Sequence, residues 1–312
     1  MSCRFLLTLR GLGRYNRKKV IHMKISQILK ENKVTVSFEV FPPKQWDKIE
    51  NTKAVVRELC RTQPSFMSVT YGASGTGAGF TQEIAAEIQD CGVTPLSHLT
   101  CLTSTQDKIR HVVGDMQAQG IENILALRGD IPEGFVFPDK QYYEYAYQLI
   151  NEIRSLGDFC LGGACYPEMH PESKNRIEDI EYLKEKVDCG LDFLTSQMFF
   201  DNEKFLDFVE VCRIKGIDVP IIAGIMPITN VRQIERSIAL SNCTLPKKFY
   251  KIMERFGDDE KSMQQAGIIY ATEQIIDLMA NGINNIHIYT MNKPAVANSI
   301  MNGLSDIISY NG

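Results

Sequence analysis

The chain has 312 residues, of which 44% are hydrophobic and 23% are charged, and its formal net charge is -4. This composition is typical of a globular protein, with enough length for one large barrel or for two domains. Because there is no basic surplus and no apolar run of membrane-spanning length, neither nucleic acid nor a membrane is an expected partner.

The nine cysteines are scattered singly, and none forms a C-x-x-C pair. An odd number of isolated cysteines, several within apolar runs, is typical of small core residues in a reducing compartment. The sequence therefore predicts a cytoplasmic protein without a disulfide framework or a structural zinc site.

The first 22 residues are basic and contain no acidic residue. Their apolar core, Phe5–Leu7, is too short for a secretory signal, although an organelle transit peptide fits the basic character. The alternative is a start codon upstream of the natural one, since the segment from Met23 to Lys30 resembles a protein N-terminus. We predict a disordered extension over 1–22 and a single catalytic domain over 23–312.

The first predicted strand runs from Val34 to Phe41 and is closed by Pro42 and Pro43, which cannot donate to a sheet. Glu39 interrupts this run of β-branched and aromatic residues. A carboxylate in such a place must face water, contact a cation, or have a raised pKa.

Strands and helices then alternate along the chain at a spacing of about 30 residues, and most strands are continuous apolar runs, as in parallel sheets. Eight such units predict a (β/α)8 barrel, with a doubly wound open sheet as the alternative. The later strands are predicted at Phe66–Tyr71, Pro95–Cys101, Asn123–Leu127, Phe159–Tyr166, Phe193–Phe200, Pro220–Met226 and Asn285–Thr290. The helices are predicted at Trp46–Cys60, from Thr81, at Thr105–Gln119, Tyr142–Leu156, Ile177–Val187 and Glu203–Ile214, over most of Val231–Ala280, and from Pro294.

Polar residues lie at the carboxyl end of nearly every predicted strand, which is where barrels of this kind place their active sites. We therefore predict one functional site at this rim. The polar residues are Glu39, Thr70, Tyr71, His98, Arg128, Asp130, Tyr166, Glu168, His170, Gln197, Tyr289 and Asn292.

Local motifs exclude several kinds of chemistry. The glycine-rich stretch 72–79 lacks the G-x-G-x-x-G spacing of a dinucleotide fingerprint, so a flexible loop is expected there. No strand contains a lysine for a Schiff base, and no H-x-H or H-E-x-x-H pair predicts a catalytic metal. Arg128-Gly129-Asp130 fits either close approach to a ligand or a surface salt bridge on a turn.

Six blocks at six strand ends closely resemble the methylenetetrahydrofolate reductase family, in its order and spacing, from about Met23 to the C-terminus. The resemblance implies an FAD-containing barrel that reduces 5,10-methylenetetrahydrofolate to 5-methyltetrahydrofolate with NADH or NADPH. It also implies a short form without an S-adenosylmethionine-responsive domain. The blocks are Ser37–Lys44, Ser68–Ala73, His98–Cys101, Ala126–Asp130, Tyr166–Glu172 and Gln197–Asp201.

The resemblance assigns roles to individual residues. It implies that Glu39 is the general acid, that Asp130 faces both flavin and folate, and that Gln197, Gln233 and Lys293 bind the folate. The cofactor residues that it implies, besides Asp130, are Thr70, Tyr71, Ala73, His98, Arg128, Gly129, Tyr145, Ala146, Tyr166, His170, Asp179 and Lys186.

Two positions depart from the family pattern. Lys293 replaces a frequent arginine, so a bidentate clamp on the folate becomes a point charge, and Glu185 stands where a basic residue can occur. Two other functions stay open: a flavin-free folate-binding methyltransferase, and an electron-transfer subunit that depends on a partner protein. A homo-oligomer is the expected assembly.

Overall fold

The computed structural model describes residues 23–71, 78–131 and 142–311, without the side chains at 78, 233, 235, 236, 239, 240 and 311. Eight parallel strands form a closed barrel in sequence order, which confirms the predicted fold over the open sheet. The strands are β1 (Thr35–Val40), β2 (Met67–Val69), β3 (Pro95–Thr100), β4 (Asn123–Leu127), β5 (Cys160–Cys165), β6 (Phe193–Ser196), β7 (Ile221–Ile225) and β8 (Asn285–Tyr289). The helices are α1 (Ile25–Glu31), α2 (Ile49–Cys60), α3 (Ala78–Asp90), α4 (Gln106–Ala118), α5 (Ala146–Leu156), α6 (Arg176–Asp188), α7 (Asn202–Ile214), α8 (Val231–Ser241), α9 (Lys247–Phe256), α10 (Glu260–Ala280) and α11 (Pro294–Asn311).

Each strand is buried on both faces, which explains the continuous apolar runs in the sequence. In β1, Val36, Phe38 and Val40 belong to the core cluster between the barrel and its helices. Because successive side chains point to opposite faces, Ser37 and Glu39 point into the barrel. The polar residues of the strands therefore line the interior and its mouth.

Helix α1 closes the N-terminal end of the barrel. Its Ile25, Ile28 and Leu29 are buried in a separate cluster with Phe66 and Phe193, among other inward-facing side chains. The α1 backbone is anchored as well, since the N–H of Ile25 donates to Oδ1 of Asn123 at 2.8 Å.

A buried histidine crosses the middle of the barrel. His287 Nδ1 lies 2.7 Å from Ser37 Oγ, and Nε2 lies 3.2 Å from Ser68 Oγ. Burial lowers the pKa of His287 to about 3, so the ring is neutral and its two nitrogens are satisfied by hydroxyl groups.

The predicted helices differ from the observed ones mainly at their ends. Tyr142 pairs with Thr105 in an isolated antiparallel bridge, so α5 begins only at Ala146. The predicted helical stretch up to Ala280 is three helices, because Pro246 precedes α9 and Asp259 caps α10 by accepting from the Ser262 N–H. The sequence did not predict α1 as a helix.

Within the described ranges, no helix is long and apolar enough to cross a membrane. All eight cysteines in those ranges are free thiols. No group of three His, Cys, Asp or Glu side chains there is arranged to hold a metal ion. The predicted disorder of residues 1–22 lies outside the described residues.

We predict that a chain beginning at Met23 melts like the full chain, whereas one beginning at Asn32 is strongly destabilised. Removing α1 exposes the end of the barrel and loses three buried aliphatic side chains, worth up to roughly 5–9 kcal/mol together. Thermal unfolding of both variants checks this. A lower melting temperature for the chain that begins at Met23 would mean that residues 1–22 dock on the barrel.

Candidate active site

The carboxyl ends of the eight strands bring most of the predicted site residues to one mouth. Glu39 lies near the end of β1, and Thr70 and Tyr71 follow β2. Arg128, Gly129 and Asp130 follow β4, and Tyr166 follows β5. Ala73 and most of the glycine-rich loop lie outside the described residues, as does the side chain of Gln233 on α8.

Glu39 is only 8% exposed and has no cationic partner among the described residues. Burial raises the pKa of its carboxyl to about 8. The nearest basic nitrogen is His98 Nε2, 3.8 Å from Oε2, too far for a hydrogen bond. Burial lowers the pKa of His98 to about 3, so this ring is neutral and does not stabilise the carboxylate. Glu39 is therefore a neutral carboxylic acid at pH 7, able to give up a proton.

Tyr289 lies beside Glu39, since the two residues are register partners in β8 and β1. Its hydroxyl donates to the carbonyl of Ser196 at 2.6 Å, across Gly224. A Cβ at position 224 would lie 2.7 Å from that hydroxyl oxygen and 2.3 Å from the Ser196 carbonyl, so only glycine leaves room for the ring. Burial, and secondarily Glu39, raise the pKa of Tyr289.

The turn after β4 has a left-handed glycine at its centre. Gly129 has φ +88°, and a Cβ there would lie 3.1 Å from Thr100 Cβ, so the turn requires glycine for two reasons. Of the two interpretations of this motif, the salt bridge is present, but the partner of Arg128 is Glu172 rather than Asp130. Nη1 and Nη2 donate to the two carboxylate oxygens at 2.5 and 2.6 Å. Asp130 is exposed at the rim.

The loop after β5 joins four of the predicted cofactor residues. Tyr166 and His170 pack edge to face, with ring centroids 4.6 Å apart. Asp179 accepts from the backbone N–H of His170 at 3.3 Å and from Ser173 Oγ at 2.7 Å. Lys186 donates to the carbonyl of Ala164, and burial lowers its pKa. Burial, and secondarily the negative charge of Asp130, raise the pKa of Tyr166 to about 12. Asp130 therefore lies on the same side of the mouth as Tyr166.

Other predicted residues hold local contacts. Gln197 Oε1 accepts from the Met198 N–H at 3.0 Å, and Lys293 Nζ donates to Thr229 Oγ1 at 2.7 Å. Tyr145 is exposed at the start of α5, where Gln148 Oε1 accepts from its N–H at 3.0 Å, and Ala146 is the first residue of that helix. In the described part of the chain, Tyr145 forms no hydrogen bond or ring contact with Glu39 or Arg128.

Two residues that contribute to the site were not assigned a role from the sequence. Asn292, in a left-handed conformation, bridges the loops after β1 and β8, because its side chain accepts from Phe41 N at 2.8 Å and donates to Phe41 O at 2.9 Å. Glu172 binds Arg128. Its position two residues after His170 indicates that it lies near the predicted site, but the sequence does not show which cation it would contact.

Residues 24–305 match the family model described as methylenetetrahydrofolate reductase. An Arabidopsis thaliana protein named methylenetetrahydrofolate reductase (NADH) 1 is 37% identical over 297 residues, covering 90% of this chain and 50% of the plant protein. The 5,10-methylenetetrahydrofolate reductase of Escherichia coli K12 is 34% identical over 275 residues, covering 88% of this chain and 92% of the bacterial protein. The chain thus spans half the length of the plant relative and most of the bacterial one.

Solved structures show the same fold. A Clostridium thermocellum protein described as binding two copies of 5-methyl-5,6,7,8-tetrahydrofolic acid has a TM-score of 0.62 at 13% identity, covering 92% of this chain and all of that one. Oxaloacetate acetylhydrolase has a TM-score of 0.53 at 13% identity, covering 92% of this chain and 86% of that one. At these identities the likeness shows the barrel alone. The family model and the nearly end-to-end bacterial match show more: this chain belongs to the methylenetetrahydrofolate reductase family of oxidoreductases.

Proposed function

We propose that the chain reduces 5,10-methylenetetrahydrofolate to 5-methyltetrahydrofolate, with bound FAD and with NADH or NADPH as the electron donor. The observation that carries this proposal is the neutral, buried Glu39 carboxyl at the mouth of a barrel of this family. The plant relative that is named for NADH supports NADH as the donor. The cytoplasmic location and the homo-oligomer stay predictions.

The residues at the mouth fit a flavin nucleotide. Gly129 allows the left-handed turn that brings Arg128 and Asp130 to the mouth, and the buried His98 Nε2 has no hydrogen-bond partner in the described part of the chain. Arg128 and Lys186 add donors on one side of the mouth, and His170 adds its Nε2–H, since its Nδ1 accepts from the Glu172 N–H. We propose that FAD is held by Thr70, Tyr71, Ala73, His98, Arg128, Gly129, Asp130, Tyr145, Ala146, Tyr166, His170, Asp179 and Lys186.

FAD, when bound, accepts hydride from the nicotinamide and supplies it to the folate, which is chemistry that side chains cannot perform. The protein supplies the proton. Opening the methylene bridge of the folate to a reactive iminium requires protonation of the departing ring nitrogen. Glu39 retains its proton up to about pH 8, so its carboxyl is the donor in reach of a ligand at the mouth.

The exposed Asp130 carboxylate supplies negative charge at the same mouth. This charge favours a cationic iminium on the folate and disfavours an anionic reduced cofactor. Gln197, Gln233 and Lys293 would hold the folate, with Lys293 acting as a point charge on the tail.

The visible spectrum of the purified protein, before and after anaerobic NADH, tests the proposal. We expect a flavin spectrum that NADH bleaches and methylenetetrahydrofolate restores, with about one FAD released per chain by acid. Protein that stays colourless after incubation with FAD would instead favour the flavin-free methyltransferase. Reduction by an artificial dye but not by NADH or NADPH would favour the electron-transfer subunit.

We predict that Glu39→Gln leaves flavin reduction by NADH near normal and slows the folate half-reaction by about 10²–10⁴, or roughly 3–5 kcal/mol of barrier. The amide keeps the shape but cannot donate a proton in this step. Stopped-flow traces of the two half-reactions check it, with Glu122→Gln, exposed at the opposite end of the barrel, as the control. Equal slowing of both steps would make Glu39 structural.

The same carboxyl sets a pH dependence. Because the raised pKa keeps Glu39 protonated up to about 8, the wild-type folate half-reaction should be flat below that pH and fall as Glu39 ionises above it. The rate of the flavin half-reaction should not fall in this pH range, and neither should the rate of the folate half-reaction in Glu39→Gln. A folate step that falls already near pH 5 would contradict the assignment.

We predict that Asp130→Asn raises the reduction potential of the bound flavin and slows the folate step at least about tenfold, since one negative charge is lost at the mouth. Dye-equilibrium potentiometry and single-turnover kinetics check the two effects. Asp306→Asn, exposed on α11, is the control. An unchanged potential with a slower folate step would refute the flavin half of this prediction.

A further inference from the structure

Glu172 lies where two of the proposed cofactor residues meet. Its carboxylate accepts from Nη1 and Nη2 of Arg128 at 2.5 and 2.6 Å, and its backbone N–H donates to Nδ1 of His170 at 3.1 Å. One residue therefore contacts both the guanidinium and the imidazole.

The carboxylate fixes the guanidinium plane. Arg128 has five N–H donors, of which two bind Glu172 and Nε binds the carbonyl of Gly129 at 3.3 Å. Each Nη nitrogen keeps one N–H. Three hydrogen bonds on two edges of the guanidinium fix its plane and therefore the directions of these two donors, whereas a free arginine would have to be ordered when a ligand binds.

The backbone contact fixes the tautomer of His170. A backbone N–H can only donate, so Nδ1 accepts and the ring proton of the neutral imidazole lies on Nε2. Burial, and secondarily Arg128, lower the pKa of His170, in keeping with a neutral ring. In the described part of the chain no residue accepts the Nε2 proton, which leaves it for a ligand.

We infer that Glu172 is a positioning residue: it orients the free N–H groups of Arg128 and the Nε2–H of His170 as preformed donors for the flavin nucleotide. This inference rests on the proposed function, because the ligand is the proposed FAD.

The negative charge of Glu172 opposes ligand binding, whereas its orientation of the donors favours it. The charge partly neutralises Arg128 and so weakens the attraction of Arg128 for an anionic ligand. The carboxylate is 55% exposed, so solvent and salt screen its effect beyond the ion pair. The orientation of the guanidinium is not screened. Positioning therefore outweighs neutralisation, and loss of the carboxylate weakens FAD binding.

The test is FAD titration of the apoprotein, followed by quenching of flavin fluorescence. We expect Glu172→Gln to raise the Kd for FAD about tenfold, or about 1.4 kcal/mol, with little change in melting temperature. Glu181→Gln is the matched control, because Glu181 lies on α6, is 62% exposed and pairs with Lys215. An unchanged or lower Kd for Glu172→Gln overturns the inference.

A double-mutant cycle separates positioning from a general structural role. If Glu172 acts through Arg128, adding Glu172→Gln to Arg128→Ala should raise the Kd by less than about twofold. A full tenfold effect in the Arg128→Ala background would mean that Glu172 does not act through the guanidinium.

The tautomer is measured without FAD. Nitrogen-15 spectra of the wild-type apoprotein should show His170 protonated at Nε2 and unprotonated at Nδ1, and the reverse overturns this half of the inference. Failure of the proposed function is a separate result, seen as wild-type protein that binds no FAD. The His170 spectrum still tests the assignment in that case.

Discussion

The burial of the Glu39 carboxyl, with no cationic partner in the described part of the chain, is the constraint on which the rest of the mouth depends. A lysine or arginine at hydrogen-bond distance would stabilise the carboxylate and lower its pKa, and the proton would be lost at neutral pH. Three cations of the mouth are held by other groups: Arg128 binds Glu172, Lys293 binds Thr229, and Lys186 binds the carbonyl of Ala164. His98 comes within 3.8 Å, but it is neutral because it is itself buried. Desolvation therefore acts on Glu39 almost unopposed.

The interior below Glu39 supports this arrangement without adding charge. His287 crosses the barrel between the hydroxyl groups of Ser37 and Ser68 and is neutral, so both of its ring nitrogens are satisfied by hydrogen bonds without a charge. Above it, Tyr289 lies over Gly224 and is fixed on the carbonyl of Ser196. A charged group in either place would change the pKa of Glu39 through the low-dielectric interior.

Side-chain bridges between loops of different strands order the rim. Asn292 joins the loops after β1 and β8 with two hydrogen bonds to Phe41. Glu168, after β5, accepts from Lys204 on α7 and from the N–H of Thr244 at 3.1 Å. Arg128 and Glu172 join the loops after β4 and β5. Because these bonds already exist, ligand binding has less conformational entropy to remove from the loops.

The sequence by itself determined the barrel, since eight apolar strands alternating with helices have few other ways to be buried on both faces. It also placed Glu39 and Arg128 at strand ends, because the carboxyl ends of parallel strands meet at one edge. It could not determine that Glu39 has no cationic partner among the described residues, that Arg128 pairs with Glu172, 44 residues away, or that His287 bridges β1 and β2. Nor did it predict that α1 closes the N-terminal end of the barrel, since a helix of seven residues is too short for its sequence pattern to indicate a helix. These features depend on distances between segments far apart in the chain. Only the closed tertiary structure brings those segments together, and only there does burial decide which groups keep their protons.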